Sequence, residues 1–383
     1  MSEPYPNPPH QPFPAYDELQ SLVESEFNVL DFYIELGVPT FVIAPGPTKE
    51  PFKSLATKLK DLGYLPFLRR DGERLLIRVS SKPTSGPGRP WLNVVLFLAT
   101  VASVLASGYM IVYNSSLNPV LQKVYSYHNQ EFNVLTQALF LAVSVLSTLG
   151  LHELGHLLLH RVRGVGATLP YFIPLPLIHP LGTLGAVILQ KEPPTNRDEL
   201  FDLGFSGPLV GFLTTLIVTI ISLRFFTFLV PTDMLVMWAQ QHPGSVSAIE
   251  YPPLLFQILS PIINPSQGGY TTVLTPVAVM TLWIMVLNFL NLMPVWQFDG
   301  GWVSLSIFGP KRQRTVSYIS AGVMFLLGQP YWVMAMLALF GMWSIGTGVG
   351  PLDAVSPVST SRKASSLVLL LIIILCVKYF PYF

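Results

Sequence analysis

The chain predicts a polytopic α-helical membrane protein: about six to eight transmembrane helices, a membrane-embedded β-hairpin or strand, and a small soluble N-terminal α/β domain. Three observations carry this reading. Of 383 residues, 51% are hydrophobic and only 11% are charged, against about 25% charged in soluble domains. Apolar runs of the ~20 residues needed to cross a bilayer recur from Trp91 onward. The first 82 residues differ, being polar with short alternating patterns. Net charge is +1, which gives nucleic acid no electrostatic footing. The single cysteine, Cys376, cannot form an internal disulfide and excludes a cysteine-ligated metal site. The polar, Pro-rich N-terminus does not read as a cleavable signal peptide.

Residues 1–15 are a Pro-rich tail expected to lack regular structure. Residues 16–82 form the soluble α/β domain. Its expected elements are a helix from Glu18 to Leu36, a short strand at Phe41-Val-Ile-Ala, a helix from Pro51 to Leu62, and a hairpin turning at Asp71-Gly72. Residues 83–90 are a Pro/Gly/Ser linker, and 91–383 the membrane domain, with a catalytic core at about 133–310.

The first span is placed at 91–113. Arg69, Arg70, Arg74, Arg78, Lys82 and Arg89 precede it, so the positive-inside rule puts the N-terminus in the cytoplasm. The second span, 133–160, returns inward and is followed by Arg161 and Arg163. Prolines 170, 174, 176 and 180 exclude a regular helix after it, and Gly182-Thr-Leu-Gly-Ala-Val-Ile-Leu189 reads as a strand. Further spans are expected at 204–222 and 272–290, the latter followed by Lys311, Arg312 and Arg314. Residues 315–348 read either as a single long helix or as a tight hairpin broken at Gly328-Gln-Pro330, the hairpin agreeing with the charge rule because it puts Arg362 and Lys363 inside; 365–381 reads as the last span.

The chemistry lies in the second span. In His152-Glu153-Leu-Gly-His156 the histidines are four apart, so on a helix they share a face as two ligands of one metal ion. Glu153 sits beside the first, at the general-base position of a metal-dependent hydrolase. Ionisable groups at membrane depth are costly and mark function by default. A catalytic metal takes three protein ligands. His160 lies one turn further along the same helix, where it would strain tetrahedral geometry, and His179 has no motif around it. The better third ligand is Asp299. It follows directly on the span at 272–290, with Pro294 breaking the helix and Gly300-Gly301 letting the backbone turn.

His-Glu-Leu-Gly-His in one span and Asn291-Leu-Met-Pro294 with Asp299-Gly-Gly in a later one resemble the site-2 protease family of intramembrane metalloproteases. Phe201-Asp-Leu-Gly-Phe-Ser-Gly207-Pro-Leu-Val-Gly211 resembles its small-residue third span, and Gly182-Thr-Leu-Gly-Ala its membrane-associated strand. The soluble unit and Pro351-Leu-Asp-Ala-Val-Ser-Pro resemble the archaeal, cyanobacterial and chloroplast branch. The resemblance covers about residues 91–365. Gln297-Phe298 departs from it, standing where many members carry Pro-Leu.

The resemblance implies one zinc ion held by His152, His156 and Asp299, Glu153 as base, and Asn291 stabilising substrate or oxyanion. The implied activity is an endopeptidase cutting transmembrane segments in regulated intramembrane proteolysis. Two His and one carboxylate would also suit iron, cobalt or manganese. The strand at Gly182, Thr183, Leu184 and Gly185 is the expected binding edge for an unwound substrate. Expected partners are transmembrane protein substrates and the lipid bilayer, with homo-oligomerisation a further option and no nucleic acid. The expected location is a multi-pass place in the cell membrane with the site toward the cytoplasm. Rival readings are a polytopic metal or ion transporter and a catalytically silent scaffold. A transporter would spread polar residues along several spans, whereas here they gather at one depth beside a Glu.

Overall fold

The computed structural model describes residues 16–82, 89–176, 181–265, 268–344 and 350–380. Its chain divides into two compact units. The first is assembled from three separated stretches, 1–87, 193–200 and 349–359. The second holds 88–192, 201–348 and 360–383.

The first unit runs α1 (Tyr16–Glu24), β1 (Val29–Glu35), β2 (Val38–Ile43), α2 (Lys49–Asp61), β3 (Tyr64–Asp71) and β4 (Arg74–Ser81). The strands form one antiparallel sheet in the order β1-β2-β4-β3. Leu19, Phe41, Phe52, Leu55, Leu59, Leu68 and Ile77 are fully buried between sheet and helices. The hairpin at Asp71 is as expected, with Gly72 at φ 57°. The helix expected over 18–36 is shorter: it stops at Glu24, and 29–35 is an edge strand instead. Leu36 (φ 51°) and Gly37 (φ 80°) turn it back into β2, the left-handed pair that a two-residue hairpin demands.

β3 is not the last strand of this sheet. Residues 352–354 lie along it: Leu68 N–H donates to Leu352 O (3.0 Å) and Ala354 N–H to Leu68 O (3.3 Å). Residues 194–196 lie beyond them, with Leu352 N–H on Pro194 O (2.9 Å) and Asp353 N–H on Thr195 O (2.8 Å). The Asp353 carboxylate is fully buried and accepts from the backbone of Val355 and Ser356.

The second unit is mostly helical: α3 (Pro90–Ser116), α4 (Pro119–Tyr127), α5 (Val134–Arg163), the strands β5 (Tyr171–Pro174) and β6 (Thr183–Val187), then α6 (Arg197–Phe225), whose first turn counts with the first unit. There follow β7 (Thr227–Pro231), α7 (Thr232–Gln241), α8 (Leu254–Ile263), β8 (Tyr270–Leu274), α9 (Pro276–Leu292), α10 (Asp299–Phe308), α11 (Pro310–Leu327), α12 (Gln329–Ser344) and α13 (Thr360–Cys376). Among the described residues, α3, α5 and α6 are long and apolar enough to cross a membrane. α9 is apolar but shorter, and α11 breaks from α12 at Gly328, where the expected hairpin turns (φ 110°).

Each long helix has local reasons for its limits. The side chain of Asn133 caps α5 by accepting from Thr136 N–H (2.9 Å). Gly164, left-handed at φ 65°, ends it. Gly155 on α5 meets Ser206 and Val210 on α6 so closely that a Cβ there would lie 3.0 Å from Ser206 O. This small-residue contact lets two membrane helices approach and brings the faces that carry the polar residues together. The sheet of β5 and β6 packs beside α3. Gly182 (φ 69°) has no room for a Cβ against Ser103 and Val104, and Ser103 Oγ–H donates to Gly182 O (2.5 Å).

Candidate metal centre

His152 and His156 project from one face of α5, one turn apart, with ring centroids 4.9 Å from each other. Asp299 is the first residue of α10, at a helix N-terminus, where backbone N–H groups favour a carboxylate. The three meet. His152 Nε2 lies 3.1 Å from Asp299 Oδ2, His156 Nε2 3.3 Å from Asp299 Oδ1, and the two Nε2 atoms 3.2 Å apart. Among the described residues these side chains form the one group of three able to hold a metal ion. The spacing fits such an ion. Bonds of ~2.0–2.2 Å in tetrahedral array set ligand atoms about 3.3–3.5 Å apart, close to the distances found.

The ring nitrogens turned away from the triangle fix the chemistry. His156 Nδ1–H donates to the carbonyl of Leu203 on α6 (2.8 Å). That bond commits the proton to Nδ1 and leaves the Nε2 lone pair for a metal. His152 Nδ1 lies over Gly211, 2.8 Å from where a Cβ would stand, and Asn288 Oδ1 lies 3.0 Å from the same point. Asn288 is buried and tethered: its Nδ2 donates to Thr215 Oγ1 (2.6 Å) and to Ile284 O (3.1 Å), and Thr215 in turn donates to Gly211 O (2.8 Å).

Glycines of α6 and of the first turn of α10 make the space. A Cβ on Gly207 would stand 2.1 Å from His156 Nε2, and one on Gly204 only 2.7 Å from Asp299 O. Gly300 and Gly301 press on the carbonyls of Leu292 and Trp296. Close helix packing is therefore half of what these residues do. They also leave room for the imidazoles. Asn288, the Leu203 carbonyl and the glycines of α6 were not singled out from sequence as parts of the site. The signals were Asn288 three residues before Asn291, and glycines at 204, 207 and 211 on a helix expected to pass the motif.

Glu153 is buried at 7% exposure and makes no ion pair with lysine or arginine among the described residues. Asn291 is half-buried in the last turn of α9. His160 is buried with its Nδ1 unpartnered and does not join the triangle. His179 lies outside the described residues. In β6, Thr183 is buried: its hydroxyl donates to Ile173 O (2.8 Å) and accepts from Gly185 N–H (3.0 Å), while Leu184 is 55% exposed. One edge of β6 pairs with β5, and among the described residues no strand pairs with the other.

Next to Leu203, Asp202 gathers the ends of three helices. Arg362 of α13 grips it with two bonds of 2.7 Å, and Arg163 at the end of α5 also pairs with it.

The model of peptidase family M50 matches residues 140–329, which include all three ligand candidates and Glu153. The chain is 27% identical over 327 residues to the "Probable zinc metalloprotease EGY1, chloroplastic" of Oryza sativa subsp. japonica, covering 79% of this chain and 52% of that one. It is 27% identical over 335 residues to the Arabidopsis thaliana protein of the same name, covering 80% and 57%. To the "Probable zinc metalloprotease EGY2, chloroplastic" of Arabidopsis thaliana it is 28% identical over 201 residues, covering 50% and 33%. The chain thus spans about a third to a little over half of the length of these relatives. No solved structure matches it. With the matched segment carrying the histidine pair, its adjacent glutamate and the converging aspartate, the chain belongs to peptidase family M50, the family of the site-2 proteases.

Proposed function

We propose that this chain is a zinc metalloendopeptidase that hydrolyses peptide bonds within or near transmembrane segments of other membrane proteins. The observation that carries the proposal is the donor triangle of His152, His156 and Asp299, with Glu153 next to its first member. The relatives' names say zinc, and the donor set, two imidazoles and one carboxylate with an open position, suits it.

A bound zinc ion supplies Lewis acidity and lowers the pKa of a coordinated water to about 7. The rest is the work of the chain. Glu153 accepts the proton of the attacking water as its oxygen bonds to the scissile carbonyl carbon. It returns that proton to the amine nitrogen as the C–N bond breaks. Asn291 donates to the developing oxyanion, a contact worth about 3 kcal/mol in other hydrolases. A helical substrate hides its carbonyls in its own hydrogen bonds and must unwind first. The unpaired edge of β6, at Gly182, Thr183, Leu184 and Gly185, offers backbone groups to hold it extended.

The membrane setting supports the same reading. We place α3, α5, α6, α9, α11, α12 and α13 across the bilayer, within the six to eight spans expected. Arg161 and Arg163 after α5, and Lys311, Arg312 and Arg314 after α10, then lie on one side, the cytoplasmic side by the positive-inside rule, toward which the site would open. Regulated intramembrane proteolysis is the role such a site would serve.

The test is purification in detergent with metal analysis and a transmembrane test substrate. Glu153→Gln should keep its metal and lose cleavage, and Asp299→Ala should lose both. Wild-type protein without metal, or a Glu153→Gln variant that cleaves as well as wild type, would overturn the proposal.

A further inference from the structure

Asp299 reaches the metal site from a short connection, residues 294–298, between α9 and α10. Trp296 in that connection has φ 46°, a left-handed backbone that a bulky side chain adopts at a cost of about 1–3 kcal/mol. Such a conformation persists only where its surroundings hold it. The holders are on α11. Gln313 and Ser317 sit one turn apart on one face of that helix, both with 0% exposure. Ser317 Oγ–H donates to Pro294 O (3.2 Å) and accepts from Trp296 N–H (3.2 Å). Gln313 Nε2 donates to Trp296 O (3.3 Å) and to Ser317 Oγ (3.1 Å). One hydrogen of the amide and the single hydrogen of the hydroxyl are then spent on the connection, and the second amide hydrogen ties Gln313 to Ser317. From the other side, α12 offers Gly341, where a Cβ would overlap the Trp296 ring.

The glutamine carries a penalty that points to its purpose. Gln313 Oε1 is buried without a partner, which costs about 1–3 kcal/mol. An apolar side chain would avoid that loss. What it could not supply is the pair of N–H donors. We propose that Gln313 and Ser317 are positioning residues of the metal site: they lock residues 294–298 in the strained form that presents Asp299 to His152 and His156. Neither touches the donor triangle, and both act through the backbone of Pro294 and Trp296. This rests on the metal-site reading above.

Cobalt(II) is the probe, because its visible absorption reports ligand number and symmetry independently of turnover. Ser317→Ala and Ser317→Cys are titrated with cobalt(II) in detergent beside wild type and Gln313→Leu. Wild type should bind one ion with a tetrahedral-type spectrum. The two Ser317 variants should bind about tenfold more weakly, with a weakened or shifted spectrum. Their metal-free melting should stay within a few degrees of wild type. Ser317→Cys keeps the volume and loses the strong hydroxyl bonds, so it separates hydrogen bonding from packing. Gln313→Leu should lose cobalt affinity while its metal-free form melts no lower than wild type, a split that a purely structural residue would not produce. If the Ser317 variants do not fold, Gly341→Ala leaves both polar groups in place, displaces the Trp296 ring and should give the same loss. Variants that fold and bind cobalt(II) as wild type does, with the same spectrum, overturn the proposal alone. A wild-type protein that binds no cobalt(II) overturns the metal reading and this proposal together.

Discussion

Replacing Gly207 by alanine isolates the claim that α6 is shaped around the ligands. A Cβ built at Gly207 stands inside van der Waals contact with three atoms of the His156 ring, among them the Nε2 that faces the triangle. Ordinary carbon contacts need about 3.5–4.0 Å, so something must retreat by more than ~1 Å. The ring cannot yield for free. Its Nδ1–H is held by Leu203 O at 2.8 Å, and its Nε2 sits 3.2–3.3 Å from the other donors. If the ring moves, the site loses one of its three ligands and the bond that sets its tautomer. Loss of such a supporting contact alone costs 10–100-fold in metal affinity. If the helices part instead, the overpacked contact costs about 1–3 kcal/mol of stability. Gly150 on α5 is the control: a Cβ there meets nothing within 4 Å, and Gly→Ala in a helix interior gains up to about 1 kcal/mol. The assay is metal content by mass spectrometry beside a thermal melt of both purified variants. Gly207→Ala should lose metal and melt lower, while Gly150→Ala should retain metal and melt at or above wild type. A Gly207→Ala protein with full metal content and an unchanged melt would refute the cradle.

Two further outcomes follow from the contacts around the site. Asp202→Asn turns three charge-assisted bonds, from Arg163 and Arg362, into weaker ones; a loss of about 1–3 kcal/mol should appear as a lower melting temperature, and an unchanged melt would show that α13 is anchored elsewhere. Leu184→Pro removes a backbone donor from β6 at an exposed position without touching the Thr183 hydroxyl bonds; metal content should stay constant while turnover of a transmembrane substrate falls, and equal turnover would remove the β6 edge from the mechanism.

How much of this was legible in the sequence follows from the range of the interactions. The histidine pair is a local fact: four residues on a helix decide which face they share. Asp299 could be read because proline and two glycines announce a turn at the end of an apolar run. Asn288, Gln313 and Ser317 could not. Each acts across a helix–helix contact that no spacing reveals, and a buried Gln or Ser on an apolar helix looks like any tolerated polar residue. The strand at 29–35 was hidden for another reason. It lies at a sheet edge with most of its side chains exposed, so neither face imprints the alternation that marks a strand. The turn at Leu36-Gly37 was the available signal, and it lacks the Asn or Asp that usually flags one.

The sheet of the first unit has an implication for how the molecule is made. Beyond β3 it is extended by residues 352–354 and then 194–196, so a ribosome delivers β3 long before the piece that flanks it. Nascent chains emerge N-terminal end first, and until about residue 354 has left the tunnel β3 shows a bare row of backbone donors and acceptors, the template on which strands of other chains aggregate. A fragment ending at residue 82, however tempting as an expression target, keeps that exposure permanently. Grafting a sequence like Pro351–Ser356 onto its end is the rational way to make it behave.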